Sequence, residues 1–310
     1  MNIEKIYNRL LSSKLLLFII VFAFIAVRLH PLINQLDSIS LWGSLLIQIG
    51  IAFFLLQFNH IFHIIQKHPL LPTLFYLLFI GSNPIFYNDL KGSLAALCFV
   101  LSYCSLFYSY QKPQSQVNAL NISLLLVLGS LVQPSLLFFF PVFWIGFFYF
   151  QCFNLRVFLA SLTGFVIVYL FIFTWSFYKQ DINIFLTLLP SADAMFFIRK
   201  PDLSILEWIN CGIIVLMYFI VGIYLIFFNI SERVWAISAI NFFFFSTFII
   251  SIFYFLQSES RTTWGLIMYV PIAFLSTYFF SRTNKRSLQY LLLFIFLFLV
   301  GINIVQYIRS

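Results

Sequence analysis

The chain has 310 residues, of which 63% are hydrophobic, 21% aromatic and only 8% charged, and its formal net charge is +8. A soluble domain carries about 25% charged residues, so no water-filled surface and soluble core could accommodate this composition, and lipid must solvate much of the chain. A basic balance in a soluble protein would point to nucleic acid; here it fits cations gathered in loops at one membrane surface, and no nucleic-acid partner is expected.

A backbone in lipid must satisfy its own hydrogen bonds, which leaves helices or a closed barrel. The apolar runs here are helix-length, without the ten-residue alternation of barrel strands. The expected fold is therefore all-α, a polytopic transmembrane helix bundle of about 10–11 helices. The spacing predicts spans at 15–33, 40–58, 69–83, 92–110, 119–132, 136–151, 157–177, 204–228, 235–256, 264–281 and 288–307. The first run is preceded by a basic stretch, MNIEKIYNRLLSSK, with no small-residue cleavage site, and reads as an uncleaved helix.

The stretch Asn118–Cys152 contains no Asp, Glu, Lys or Arg and is too long for one crossing of a layer about 30 Å thick. It is broken at Gln133-Pro134-Ser135, where proline lacks a donor and disfavours helix in the residue before it. Two short helices meeting at a bend are expected. Gly129, Gly146, Gly164, Gly212 and Gly301 are candidate points of close helix approach. Trp42, Tyr87, Tyr108, Tyr110, Trp175, Tyr178 and Trp235 fall near span ends and read as an interfacial aromatic belt.

With the N-terminus cytoplasmic, inner segments carry ten cations and two acids, and outer segments carry seven of each. Both the cation count and the crowding of acids on one side favour this orientation. The expectation is one integral membrane domain, 1–310, with 178–203 as a periplasmic or interfacial loop. Its apolar middle, Ile182–Leu189, lies along the interface. Inner connections are too short for a catalytic domain, and no phosphate-cradling or dinucleotide-binding glycine pattern occurs.

The residues with chemical potential lie mainly in outer loops. Asp37 follows the first span and Asp89 separates the third from the fourth. A carboxylate beside low-dielectric surroundings can act as a general base or position a hydroxyl or a divalent ion. Arg28, His30, Lys91, Arg199, Lys200 and Arg261 are candidates to hold an anionic substrate, the cations by charge-assisted bonds to phosphate. The plainer alternatives are solvated loop acids, helix caps before the next spans, and an Arg28 that snorkels to the interface. His60 and His63 have a spacing that could offer two metal ligands, but no third lies nearby in sequence, and a polar helix end is the simpler reading. Cys98, Cys104, Cys152 and Cys211 form no CxxC pair and read as small buried residues.

Two resemblances follow. The run LLPTLFYLLFIGSNPIFYNDLKGSLAALCFVLSYCSLFYSYQK, then LLLVLGSLVQPSLLFFFPVFWIGFFYF, NLRVFLASLTGFVIVYLF and SESRTTWGLIMYVPIAFLSTYFF, resembles an uncharacterised bacterial family of multi-pass inner-membrane proteins. That resemblance covers most of residues 70–307 and implies no activity. The acid after the first span, with NPIFYNDLKGSLAALCFVLSYCSLFYSY and GSLVQPSLLFFFPVF, resembles the GT-C glycosyltransferases that use polyprenyl-phosphate sugars. It implies catalysis at the periplasmic face, Asp37 as base or metal positioner with Asp89 in support, and a lipid-linked sugar as donor. The chain departs from that pattern in lacking a paired-acid motif in its first loop and a large periplasmic domain. The competing readings are a non-catalytic subunit binding other envelope proteins, and a transporter or flippase. Few ionisable residues lie at mid-depth to serve a transporter.

Overall fold

Residues 21, 22, 24, 25, 39–181, 183–188, 205–228, 234–257, 260–282, 298 and 301 are described in the computed structural model of the protein. Among them every regular element is helical. The helices are α1 (Ile39–Phe62), α2 (Leu71–Gly81), α3 (Leu90–Phe107), α4 (Gln116–Val132), α5 (Phe140–Tyr149), α6 (Leu155–Tyr178), α7 (Asn183–Leu188), α8 (Ile205–Phe228), α9 (Val234–Leu256) and α10 (Arg261–Arg282). Two 3-10 segments, Pro84–Phe86 and Pro134–Phe139, interrupt the series. The expected spans between 40 and 281 each coincide with a helix; those at 15–33 and 288–307 lie almost wholly outside the described residues.

Among the described residues six helices, α1, α3, α6, α8, α9 and α10, are long and apolar enough to cross a membrane. The chain is a multi-pass membrane protein. The hydropathy of the six falls as their burial rises. At one extreme α6 is the most apolar and has 28% of its most apolar stretch buried; at the other α10 is the least apolar and is buried along the whole of its own. A helix facing lipid must be oily outside, whereas one enclosed by protein can carry Thr, Ser and Tyr.

The chain divides into two compact units. In the first, α1, α2, α8 and the start of α9 surround the part of α10 from Met268 onward. Phe274 of α10 meets Phe58 of α1 at 5.6 Å and Phe243 of α9 at 5.1 Å between ring centroids. Tyr269 stacks on Phe79 of α2 at 5.6 Å, and Phe280 on Phe75 at 5.9 Å. All eleven residues of α2 are buried. The link from α1 to α2 is folded by buried Asn59, whose Nδ2 donates to the carbonyls of Ile65 and Pro69 at 3.1 and 3.2 Å and whose Oδ1 accepts from the Ile65 N–H at 3.0 Å.

The second unit holds α3 to α7 with the end of α9 and the first turns of α10. Phe99 of α3 packs against Phe139 and Phe143 at 4.8 and 5.5 Å. Buried Trp264 stacks on Phe253 at 4.9 Å and donates through Nε1 to Gln257 Oε1 at 2.8 Å. The predicted break sits at Gln133, whose backbone is extended (φ −136°, ψ 95°) ahead of Pro134. One detail differs from expectation. The second arm of the bend begins as six residues of 3-10 helix, because Pro141 cannot donate to the Leu137 carbonyl, and the Phe140 N–H takes that acceptor instead. The expected interfacial stretch after α6 contains α7, whose Phe185 packs on Tyr169 and Phe173 at 6.4 and 5.5 Å.

Close approach is real at two of the named glycines. A Cβ at Gly164 of α6 would lie 1.9 Å from Ser123 Oγ and 3.0 Å from the Leu120 carbonyl of α4, and one at Gly129 would lie 3.1 Å from Cys98 Cβ. Gly212 is exposed and faces open space, so the sequence-based expectation fails there, and the neighbours of Gly301 lie outside the described residues. Tyr87 also departs from the belt assigned to it: it is buried and donates to the Gly81 carbonyl at 2.8 Å. Trp175 and Tyr178 are exposed as a belt requires.

Gly164→Ala should lower stability by about 1–3 kcal/mol through overpacking, while Gly212→Ala should be neutral or slightly stabilising; thermal unfolding of the purified protein separates the two. His68, in the link between α1 and α2, is buried, and its pKa is pushed below the usual 6.5 by burial first and by neighbouring Lys67 second. The folded state therefore resists protonation that the unfolded chain accepts. Stability should be full above pH 6.5 and decline as pH falls below it. His68→Gln should flatten that decline in unfolding midpoints taken across the range.

Candidate functional site

Asp89 and Lys91 follow the connection between α2 and α3, and the structure shows why that connection has a fixed shape. On α1 the polar residues Ser40, Ser44 and Gln48 recur every four positions, which places them on one face. Ser44 and Gln48 have no exposed surface. A buried amide or hydroxyl without a partner costs roughly 1–3 kcal/mol; Ser44 Oγ reaches the Leu41 carbonyl of its own helix at 3.0 Å, and all three side chains also reach beyond the helix. Their partners there lie in the connection. Gln48 Nε2 donates to the Phe86 carbonyl at 3.0 Å, Ser44 Oγ to the Tyr87 carbonyl, and Ser40 Oγ to Asn88 Oδ1.

Other side chains hold the same connection from further sides. Asn210 of α8 donates to the Ser82 carbonyl at 2.9 Å, and Tyr87 Oη returns to Gly81. Asn83 Oδ1 accepts from the Ile85 N–H at 3.4 Å. Leu41, Leu45 and Tyr87 form a buried apolar cluster beneath, and Gly43 leaves room for Leu90, whose Cδ1 would stand 2.6 Å from a Cβ there. The carbonyls of residues 81, 82, 86 and 87 are thus each occupied by a side chain. The resulting strap ends at Asp89, directly before α3.

Asp89 is half-buried, with Oδ2 shielded from solvent. Lys91, in the first turn of α3, is exposed. Arg261 opens α10, is half-buried and has Nε and Nη2 shielded. Asp37, Arg28, His30, Arg199 and Lys200 lie outside the described residues. Of the histidines suggested by spacing, His60 and His63 are exposed with ring centroids 5.9 Å apart. Among the described residues no three His, Cys, Asp or Glu side chains gather as a metal site. The four cysteines are free thiols, and burial pushes that of Cys152 up to about 11, which keeps it protonated and unreactive.

Sequence reasoning singled out Asp89 but missed the residues that position it. Its available signal was the four-residue recurrence of Ser40, Ser44 and Gln48 in an otherwise apolar span. Comparison with protein family models, curated proteins and solved structures finds no match to this chain.

Gln48→Leu should leave the Phe86 carbonyl without its donor and cost about 1–3 kcal/mol. Ser40→Ala, at the exposed end of the stripe, should cost less. Unfolding midpoints test the order, and thiol labelling of Asn88→Cys should quicken in the Gln48→Leu background as the strap loosens.

Proposed function

We propose that this multi-pass membrane protein is a transferase acting at the periplasmic face on a lipid-linked sugar, with the strapped carboxylate Asp89 in its working site. The observation that supports this reading is the immobilised connection: four backbone carbonyls are held by side chains so that a half-buried carboxylate stands at the end of an apolar bundle. The GT-C resemblance supplies the reaction class.

In that reaction the carboxylate takes the proton of the acceptor hydroxyl as its oxygen bonds to the anomeric carbon. The bond from that carbon to the phosphate oxygen breaks, and the polyprenyl phosphate leaves with the electron pair. A base held in place before the substrate arrives avoids reorganisation during the step. Lys91, two residues along, offers a cation to the phosphate. Asp37 shares the base role as the resemblance implies, and Arg28, His30, Arg199, Lys200 and Arg261 are the further substrate-binding candidates.

Asp89→Asn and Asp37→Asn preserve shape and remove the base. Sugar transfer from a polyprenyl-phosphate donor, read in cell-envelope glycans at matched protein abundance, should fall by about 100-fold or more in at least one of them. Unchanged glycans in both single variants and in the double variant would remove the transferase reading. A stable envelope protein co-purifying with those unaffected variants would establish the subunit reading in its place.

A further inference from the structure

The opposite kind of surface occurs in the second unit, where two connections are tied together. The backbone N–H of Gln111 donates to the Phe150 carbonyl at 3.0 Å, and Asn154 Nδ2 donates to the Pro113 carbonyl at 2.9 Å. Ser115 Oγ reaches the Cys152 carbonyl at 3.5 Å. Asn154 also caps α6, its Oδ1 accepting from the Val157 N–H at 2.8 Å. The end of α5 is closed by paired bonds from Gln151 to Phe148 and from Cys152 to Phe147, both 3.0 Å, with Gln151 in the left-handed region at φ 55°. Both connections are therefore fixed relative to each other.

Lys112 and Arg156 stand one and two residues from the bonded pair Pro113 and Asn154, and both are exposed. No Asp or Glu occurs anywhere between Asp89 and Asp181, so neither these connections nor the helices they join supply a neutralising carboxylate. Lys112 Nζ rests 6.0 Å from the ring centroid of Tyr108, itself exposed at the end of α3. Beside the cations the surface turns apolar at once: Phe148, Leu155 and Val117 are 62%, 72% and 69% exposed. A free phosphate would use the cations and leave that apolar skirt bare. An anionic glycerophospholipid uses both, with its phosphate on Lys112 and Arg156 and its chains along the skirt.

We infer that this tied end of the second unit is a binding site for an anionic phospholipid of the adjoining leaflet. The site is separate from the strapped Asp89, and it does not depend on the transferase reading. Each basic side chain at an anionic surface is worth roughly fivefold in binding.

The test uses the full chain in nanodiscs of mixed phosphatidylglycerol and phosphatidylcholine, with retained lipid counted by native mass spectrometry. Wild type should retain phosphatidylglycerol in preference, less so as salt is raised, and soluble glycerol phosphate in excess should not displace it. Lys112→Gln with Arg156→Gln should reduce the preference by roughly 25-fold without lowering the unfolding midpoint, since both side chains are exposed. The charge-keeping pair Lys112→Arg with Arg156→Lys should retain it, and so should Lys179→Gln, at the far end of α6. Equal retention of the two lipids by wild type, or an undiminished preference in the folded double Gln variant, overturns the proposal. Displacement by glycerol phosphate overturns its assignment to a lipid.

Discussion

The constraint on which the structure depends is that hydrocarbon offers polar groups no partner. Each backbone polar group in a span must be satisfied from within the protein, and a side-chain hydroxyl or amide left without a partner there carries its desolvation cost. Serine and threonine mostly find partners locally, returning to carbonyls three or four residues back, as Ser130 does to Val127, Thr174 to Phe171 and Thr277 to Ala273. Gln48, Asn59, Asn154 and Asn210 do so at a distance and bind the connections between helices. The same constraint distributes sequence among helices: α6, most open to lipid, carries the oiliest span, and α10, enclosed throughout, tolerates Thr263, Ser276 and Thr277.

Association of such helices gains little from hydrophobic burial, because lipid tails are as apolar as leucine. Shape and ring contacts have to do it. The tight seam of α4 on α6 at Gly164 and the ring contacts of Phe274, Tyr269 and Trp264 are its two forms here. Aromatic pairs contribute about 0.5–1.5 kcal/mol each beyond area, and 44 Phe residues in the chain make many pairs available. Phenylalanine is in good part the adhesive between helices: Phe75, Phe99, Phe139 and Phe143 are nearly fully buried.

Helix positions between 40 and 281 were legible to within a few residues because a solvent boundary imposes length and composition together. The bend at Gln133-Pro134 was legible because proline acts on its own neighbours. What escaped was everything set by a partner far along the chain. Tyr87 has the composition of a belt residue, and only the fold turns it inward to Gly81. Gly164 and Gly212 are indistinguishable in sequence, and the packing face of each helix decides that one is crowded and the other free. The 3-10 start after Pro134 followed from Pro141, a second proline whose effect falls four residues upstream. Asp89 was picked out by its chemistry, whereas the stripe that positions it was hidden because serine and glutamine in a span look like tolerated impurities.

That stripe also bears on what the bundle is for. A chain required only to cross a membrane could place leucine at 44 and 48 and let the connection after α2 move in water. Burying the Gln48 amide there is favourable while its Phe86 acceptor stays in place. The arrangement therefore couples the stability of α1 to one conformation of residues 81–88, which lead directly to the Asp89 carboxylate. A reaction that depends on the position of a carboxylate has a use for such coupling, because misplacement by about 1 Å can cost two orders of magnitude in rate. The strap thus answers the same need as the rest of the bundle, pairing buried polar groups from within the protein, and it is the feature on which the proposed catalytic role of Asp89 rests.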